Sequence, residues 1–450
     1  KMADEAIVFQ QQSLNEKMLA RLRRDKVTTE FVGYDRLEVE ATIIAVIRDD
    51  SHAEKANAGE DVLVILDHTP FYAESGGQVG DSGAIAGPNG RASVLDAFND
   101  HEFIVHRVHV EEGTLERKDK VSAEANAELR IETARNHTAT HLLQWALRKV
   151  LGEHVHQAGS EVSPERLRFD FTHHTALSDE ERGEVERLVN HRALSDATVQ
   201  VQTLPIDEAR RLGAIALFGE KYGDEVRMVS VEDFSKELCG GTHLDSTAQI
   251  GLFKIVAEES VAAGVRRVTA LTGKKAVEHV NQQVAVLADI CRALKTNPDT
   301  VRERIQNLQE QIKDLNRRLN KAQSADVRTK LDDIFSRAED VAGVTLIAQE
   351  IAGADQKTLR EACDLAKNKL KSVVCVLGSR SDGKVSLVAV VTPDLVKRGI
   401  SAGKLIKEAA GKVGGGGGGR PEMAQAGGKD PDKLPDALAS VASAVRAAIE

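Results

Sequence analysis

The sequence predicts a multidomain α+β protein: a small β-barrel, an α+β domain bearing a cluster of metal-type side chains, a helical hairpin or coiled coil, and a C-terminal α/β globular module. Three observations predict it. The 450 residues exceed what one hydrophobic core organises, at roughly 100–200 residues per domain. Short alternating segments punctuated by glycine give way near residue 119 to helical spacing. Two heptad seams then separate that region from a second run of strands and helices.

Residues 1–24 read as a polar helix, within a helical linker expected over 1–28. From Phe31 the texture becomes that of strands, in LEVEATIIAVI and GEDVLVILDHT, followed by PFYAESGGQVGDSGAIAGPNG. There Gly76, Gly77, Gly80, Gly83, Gly87 and Gly90 mark turns or close backbone approach, and hairpin turns without a ligand are the plainer reading. Residues 29–118 are therefore expected to form the glycine-rich barrel.

Residues 119–273 are expected to form the α+β domain. Ala139, Leu143, Ala146, Leu147 and Val150 fall on one helical stripe. At about 100° per residue, His137 and His141 project nearly opposite that stripe and do not help the helix bury its apolar face. Strands such as RLRFDF and EVRMVSV then alternate with the helix DEERGEVERLVNHRAL.

Over 274–325, Val277, Val280, Val284, Leu287, Cys291 and Leu294 step by three and four, as do Val301, Ile305, Leu308, Ile312, Leu315, Leu319 and Ala322. Asn297 and Pro298 fit the N-cap and first turn of the second helix. An intramolecular hairpin and a dimerisation element both satisfy this pattern, and a homodimer through the hairpin or the C-terminal module is expected.

Residues 326–450 alternate helices with the strands SVVCVLG and KVSLVAVV, joined at a hairpin around Asp382 and Gly383. Six glycines from Gly414 are either a flexible linker or a loop whose amides bind an anion, with Lys412 and Arg420 beside them. No Lys-Ser or Lys-Thr follows, which excludes an ATP-binding P-loop.

The net charge of −10 argues against nucleic acid only on average. Residues 395–420 hold six basic residues, among them Lys404, Lys407, Lys412 and Arg420, against Glu408 alone. Such a patch suits a phosphate backbone or is a solvated helix face. No run approaches the ~20 apolar residues of a membrane span. With no leader pattern and four scattered cysteines, a reducing, cytoplasmic setting is expected. The opening Lys suggests a fragment of a longer polypeptide.

Four residues are candidate metal ligands. His137 and His141 lie one helical turn apart on one face, while Cys239 and His243 flank a Gly-Gly-Thr turn that can bring thiolate and imidazole together. Nitrogen and sulfur donors suit zinc best, with iron or cobalt behind it. Thr138, Ala139 and Thr140 stand between the histidines, so the His-Glu-x-x-His base of zinc peptidases is missing. Four protein ligands would close the site; three with water would leave zinc open for Lewis-acid work.

HTATHLLQWAL, HQAGSEV, ALFGEKYGDEVRMVSV and ELCGGTHL, in that order and spacing, resemble the editing domain of the alanyl-tRNA synthetase family. DHTPFYAESGGQVGDSG resembles the barrel that accompanies it, and the heptad region with the glycine-run module resembles the family's C-terminal domain, related to that of DHH phosphoesterases. The resemblance implies a hydrolase that removes serine or glycine misattached to alanine tRNA, with zinc on His137, His141, Cys239 and His243 and editing-pocket positions at Thr140 and Gln157. It implies no aminoacylation by this chain, and tRNA as partner. Arg266 is expected to contact tRNA together with Lys404, Lys407, Lys412 and Arg420. A free-standing AlaX-type editing protein and a non-catalytic zinc-stabilised tRNA-binding module are the alternatives.

Overall fold

The computed structural model describes residues 14–49, 51–216, 222–381 and 383–449; for 320–332 the description is limited to backbone. Two compact units result, Lys1–Asp289 and Ile290–Glu450. The regions expected as barrel and α+β domain thus share one unit. The expected hairpin at 274–325 is divided at residue 289, and its second helix runs on to Ser336.

Six strands close the barrel: Glu38–Arg48, Asp61–Leu66, Phe103–Glu116, Gly90–Asp100, Gly83–Ala86 and Lys120–Ala125, bonded in that order with the last returning to the first. Alternate residues such as Ile43, Val64, Val108, Val94, Ile85 and Val121 fill its interior. The N-terminal helix, Glu16–Arg24, is capped by Asn15 and is not polar all round. Met18, Leu19 and Leu22, spaced by one and three residues, bury one face with Ile65, Phe98 and Phe103 of the barrel. Residues 1–13 of the expected helix lie outside the described residues.

The helix Ala127–Leu151 joins barrel to α+β region. Asn126 caps it, accepting from the Leu129 N–H at 3.1 Å. Arg130, on its first turn, pairs with Asp81 and donates to the carbonyls of Gly33 (2.6 Å) and Pro70 (2.7 Å), so a buried guanidinium satisfied on every side clamps helix to barrel. The helix then packs its apolar stripe, Ala139, Leu142, Leu143, Ala146 and Leu147, against Phe169, Phe171 and Val185. Those partners belong to a four-stranded antiparallel sheet ordered Gln157–Val162, Leu167–Thr172, Val265–Thr272, Phe253–Ala262, and to the helix Asp179–Leu194. A three-stranded sheet, Val199–Pro205, Glu225–Val231 and Ser235–Leu238, completes the unit. Residues 217–221 of the motif ALFGEKYGDEVRMVSV lie outside the described residues.

Helices Gly273–Leu294 and Val301–Ser336 carry the heptad seams. Val284, Leu287, Ile312, Leu315 and Leu319 are exposed, Leu315 to 63%. The second helix starts at Val301, one turn later than the Asn297 and Pro298 reading. Asn297 instead accepts from the N–H and hydroxyl of Thr300, closing a turn ahead of the helix.

The second unit is built on a six-stranded sheet ordered Glu339–Val341, Val344–Glu350, Val373–Ser381, Lys384–Val391, Met423–Gly428, Gly416–Arg420. The hairpin at Gly383 pairs Ser381 with Lys384; Asp382 lies outside the described residues. The glycine run is neither a slack linker nor an open loop: Gly416–Arg420 is an exposed edge strand. A Cβ at Gly417 would fall 2.4 Å from that of Ala426, so the strands approach closer than side chains allow. Among the described residues no helix is long and apolar enough to cross a membrane, and all four cysteines are free thiols.

Candidate metal centre and its cleft

The structure brings the four predicted ligands together. One donor atom from each of His137, His141, Cys239 and His243 lies within 4.8 Å of every other. The Cys239 Sγ stands 3.3 Å from the Nε2 atoms of both His137 and His243. The two histidines on the helix occupy the polar side left over by the apolar stripe. The other pair arrives on the turn after the strand Ser235–Leu238.

That turn is held by three hydrogen bonds from two side chains. Arg227 donates to the carbonyls of Cys239 (2.9 Å) and Gly241 (2.8 Å), and its guanidinium lies 4.2 Å over the Tyr34 ring. Tyr34 donates its hydroxyl to the Gly240 carbonyl. Gly241 is required by close approach, since a Cβ there would fall 2.0 Å from Cε1 of His137.

Each imidazole has an oxygen beside its Nδ1. His137 Nδ1 lies 2.7 Å from Gln78 Oε1, which also accepts from the Thr242 N–H at 2.9 Å. His243 Nδ1 lies 3.1 Å from the hydroxyl oxygen of Thr138. His141 Nδ1 lies 3.1 Å from Glu237 Oε2, close enough for charge contact although not aligned as a hydrogen bond. In a neutral ring whose outward nitrogen carries the proton, Nε2 would offer its lone pair inward, as metal-binding histidines require.

The protonation energetics follow from this crowding. Burial pushes the Cys239 thiol up, but the neighbouring His137 and His243 overcome it and hold the group well below its ordinary value. Burial alone would lower His141; Glu237 and then Cys239 outweigh it and raise the group to about 10. His243 is pushed down to about 3 by burial and by the charge of His137.

A small cleft of about 70 Å³ opens beside these groups and is lined also by Tyr72, Gly76, Thr140, Gln157, Ser160 and Glu237. Thr140 and Gln157 thus face the same space as the ligands. Thr140 donates its hydroxyl to the Asn136 carbonyl at 2.8 Å, leaving its lone pairs as acceptors, and Gln157 Nε2 donates to Ser160 at 3.2 Å. The glycine loop reaches this cleft because Gly77 and Val79 bond to Val162, extending the four-stranded sheet. Arg266 is not in this group: it lies in the strand Val265–Thr272, paired with Glu258. Lys404, Lys407 and Lys412 are exposed on the helix Ala402–Lys412, and Arg420 ends the glycine strand.

Sequence reasoning missed Gln78, Glu237, Arg227 and Tyr72. Glu237 reaches the outer nitrogen of His141 from a strand about a hundred positions away, which no local pattern announces.

Comparison with known proteins bears on this arrangement. Residues 3–129 match the family model described as tRNA synthetases class II (A), residues 226–269 the threonyl and alanyl tRNA synthetase second additional domain, and residues 343–447 the DHHA1 domain. The alanine–tRNA ligase of Acetivibrio thermocellus is 49% identical over 414 residues, 92% of this chain and 47% of that protein. Over most of its length the chain is homologous to the alanine–tRNA ligases. The ligase of Pelotomaculum thermopropionicum is 46% identical over 434 residues, 96% of this chain and 50% of that protein. The chain therefore spans about half the length of the curated relatives it matches. The crystal structure of the C-Ala domain from Aquifex aeolicus alanyl-tRNA synthetase aligns at 30% identity with 24% of this chain and 98% of that chain, with a TM-score of 0.23.

Proposed function

We propose that the chain is the editing and tRNA-binding portion of an alanyl-tRNA synthetase, hydrolysing serine or glycine wrongly esterified to alanine tRNA. The observation that carries this reading is the convergence of four metal-type donors on the wall of a cleft that also presents Thr140 and Gln157. Three imidazoles and a thiolate suit zinc, and the oxygen beside each Nδ1 favours the tautomer that zinc needs. His137, His141, Cys239 and His243 would hold the zinc, which would supply a fixed positive charge beside the ester end of the tRNA.

The remaining chemistry is carried by the chain's own side chains. A synthetase site for alanine cannot strongly reject serine or glycine by one small group, so a second, hydrolytic site is needed. The Thr140 hydroxyl donates its hydrogen bond to the Asn136 carbonyl, so its oxygen is left to accept from a serine hydroxyl. Alanine would leave that acceptor unpaired, which disfavours its loss relative to serine; glycine, equally without a hydroxyl, gains nothing from this contact. Gln157 Oε1 orients the attacking water. Water adds to the ester carbonyl, the bond to the ribose oxygen breaks, and the water's proton leaves on that oxygen. Glu237 holds His141 rather than acting as the peptidase base.

Lys404, Lys407, Lys412 and Arg420 engage tRNA phosphates, and Arg266 could join them only by leaving Glu258. Two copies associate through the exposed stripe Ile305, Ile312, Leu315 and Leu319 or the C-terminal module. Incubating the chain with seryl-tRNA(Ala) tests the reading: multiple-turnover release of serine is expected. A gel shift without release would mark a non-catalytic tRNA-binding module.

A further inference from the structure

The strand Gln157–Val162 is irregular at the residue that lines the cleft. From Val162 back to Gly159 it pairs residue for residue with Leu167 to Asp170, but Phe171 then faces Gln157 instead of Ala158. Directly opposed residues of an antiparallel pair share a face, and Phe171 is fully buried in the core that the helix Ala127–Leu151 covers. The extra residue therefore puts Gln157 on the side of the histidine helix, and a one-residue slip would put Ala158 there.

A bulge keeps its register only if the chain beyond it is anchored, and here the anchor is the turn ahead of the strand. The Thr172 N–H donates to the His156 carbonyl at 3.0 Å, the His156 N–H to the Thr172 hydroxyl at 2.9 Å, and that hydroxyl to the His154 carbonyl at 2.7 Å. One side-chain contact closes the set: His154 Nε2 lies 2.9 Å from His173 Nδ1. The ring centroids are 5.2 Å apart and the planes 26° apart, so the two nitrogens lie between rings that meet edge to edge, as an N–H···N bond requires. One proton between the nitrogens holds this contact, whereas a proton on each turns it into repulsion. Burial and then the charge of His154 push His173 below its ordinary value; Glu181 on the helix Asp179–Leu194 opposes this, while His174 and Arg266 add to it. On the turn itself, Glu153 is paired with Arg148.

We propose that the bridge between His154 and His173 is a positioning device for Gln157: it locks the bulged register that turns this side chain toward the cleft, and it opens when both rings are protonated. This rests on the editing reading for what Gln157 does in the cleft, but locking the register needs no catalysis.

Amide hydrogen exchange over residues 153–162 of the whole chain reads the lock directly, with the barrel strands of the same sample as reference. His173→Leu should speed exchange in that segment about tenfold, and His173→Asn, whose amide can give or accept the same bond without titrating, should restore protection. In the unaltered chain, protection corrected for intrinsic exchange should fall as pH drops below about 6.5; in His173→Asn it should not. For serine release from seryl-tRNA(Ala), His173→Leu should lower kcat about fivefold or more and leave KM within about twofold. Unchanged protection in His173→Leu, protection that stays flat with pH in the unaltered chain, or undiminished kcat in a variant that has lost protection would each overturn the proposal. A chain that releases no serine would end the editing reading, and the exchange measurements would still decide the bridge. The pH comparison uses the unaltered chain and holds even if a variant fails to fold.

Discussion

Gln78 of the barrel loop places its Oε1 2.7 Å from His137 Nδ1 and 2.9 Å from the Thr242 backbone nitrogen, joining both halves of the candidate metal centre through one buried amide. Its Nε2 donates to the Thr242 hydroxyl at 3.0 Å. The barrel therefore does more than accompany the α+β region, because it supplies the oxygen beside the outer nitrogen of a candidate ligand.

Gln78→Leu should accordingly weaken zinc binding by about 10–100-fold, the usual effect of losing an outer partner of a metal-bound histidine. Chelator competition measures it. Zinc affinity equal to that of the unaltered chain would remove Gln78 from any positioning role.

Gly241→Ala should be worse than its one methyl suggests. The added Cβ would fall 2.0 Å from His137 Cε1, so either the ring or the turn must move. Loss of bound zinc, measured by metal analysis on folded protein, is expected.

The buried pair between Arg130 and Asp81 predicts a large stability effect from a small change. Asp81→Asn leaves the guanidinium uncompensated while Gly33 and Pro70 still occupy its other donors. A loss of roughly 3–5 kcal/mol in urea unfolding of the first unit is expected. A loss below about 1 kcal/mol would show that the clamp carries little.

His106 gives the barrel a defined response to pH. Its ring is fully buried, contacts Thr69 Oγ1 at 2.7 Å and the Val64 carbonyl at 3.0 Å, and is pushed by burial down to about 4. The unfolded chain takes up this proton first, near pH 6.5. The stability that His106 contributes is therefore intact above about pH 6.5 and declines as pH falls toward 4, by ~3 kcal/mol at most. Denaturant unfolding of the chain and of His106→Leu across that window should diverge in slope; parallel curves would refute the assignment.

Much of this arrangement was legible beforehand where a periodic pattern or a residue type carried it. The phase of His137 and His141 against Ala139, Leu143, Ala146 and Leu147 marked a polar helix face with a separate task, and the structure fills it with Cys239 and His243. What stayed hidden depended on tertiary contact. Gln78 and Glu237 reach the histidines from 59 and 96 positions away, and nothing in their local sequence specifies a partner. Propensity also misled at the glycine run, where polyglycine reads as slack chain but close strand packing at Ala424 and Ala426 makes it an edge strand. In the N-terminal helix the polar majority hid three apolar residues on one face.

The most direct measurement determines bound zinc and serine release from seryl-tRNA(Ala) on the same purified samples of the chain and of Cys239→Ala. One zinc per chain with multiple-turnover release is expected, both falling together in the variant. Hydrolysis undiminished in a folded Cys239→Ala sample that holds no zinc would contradict the account.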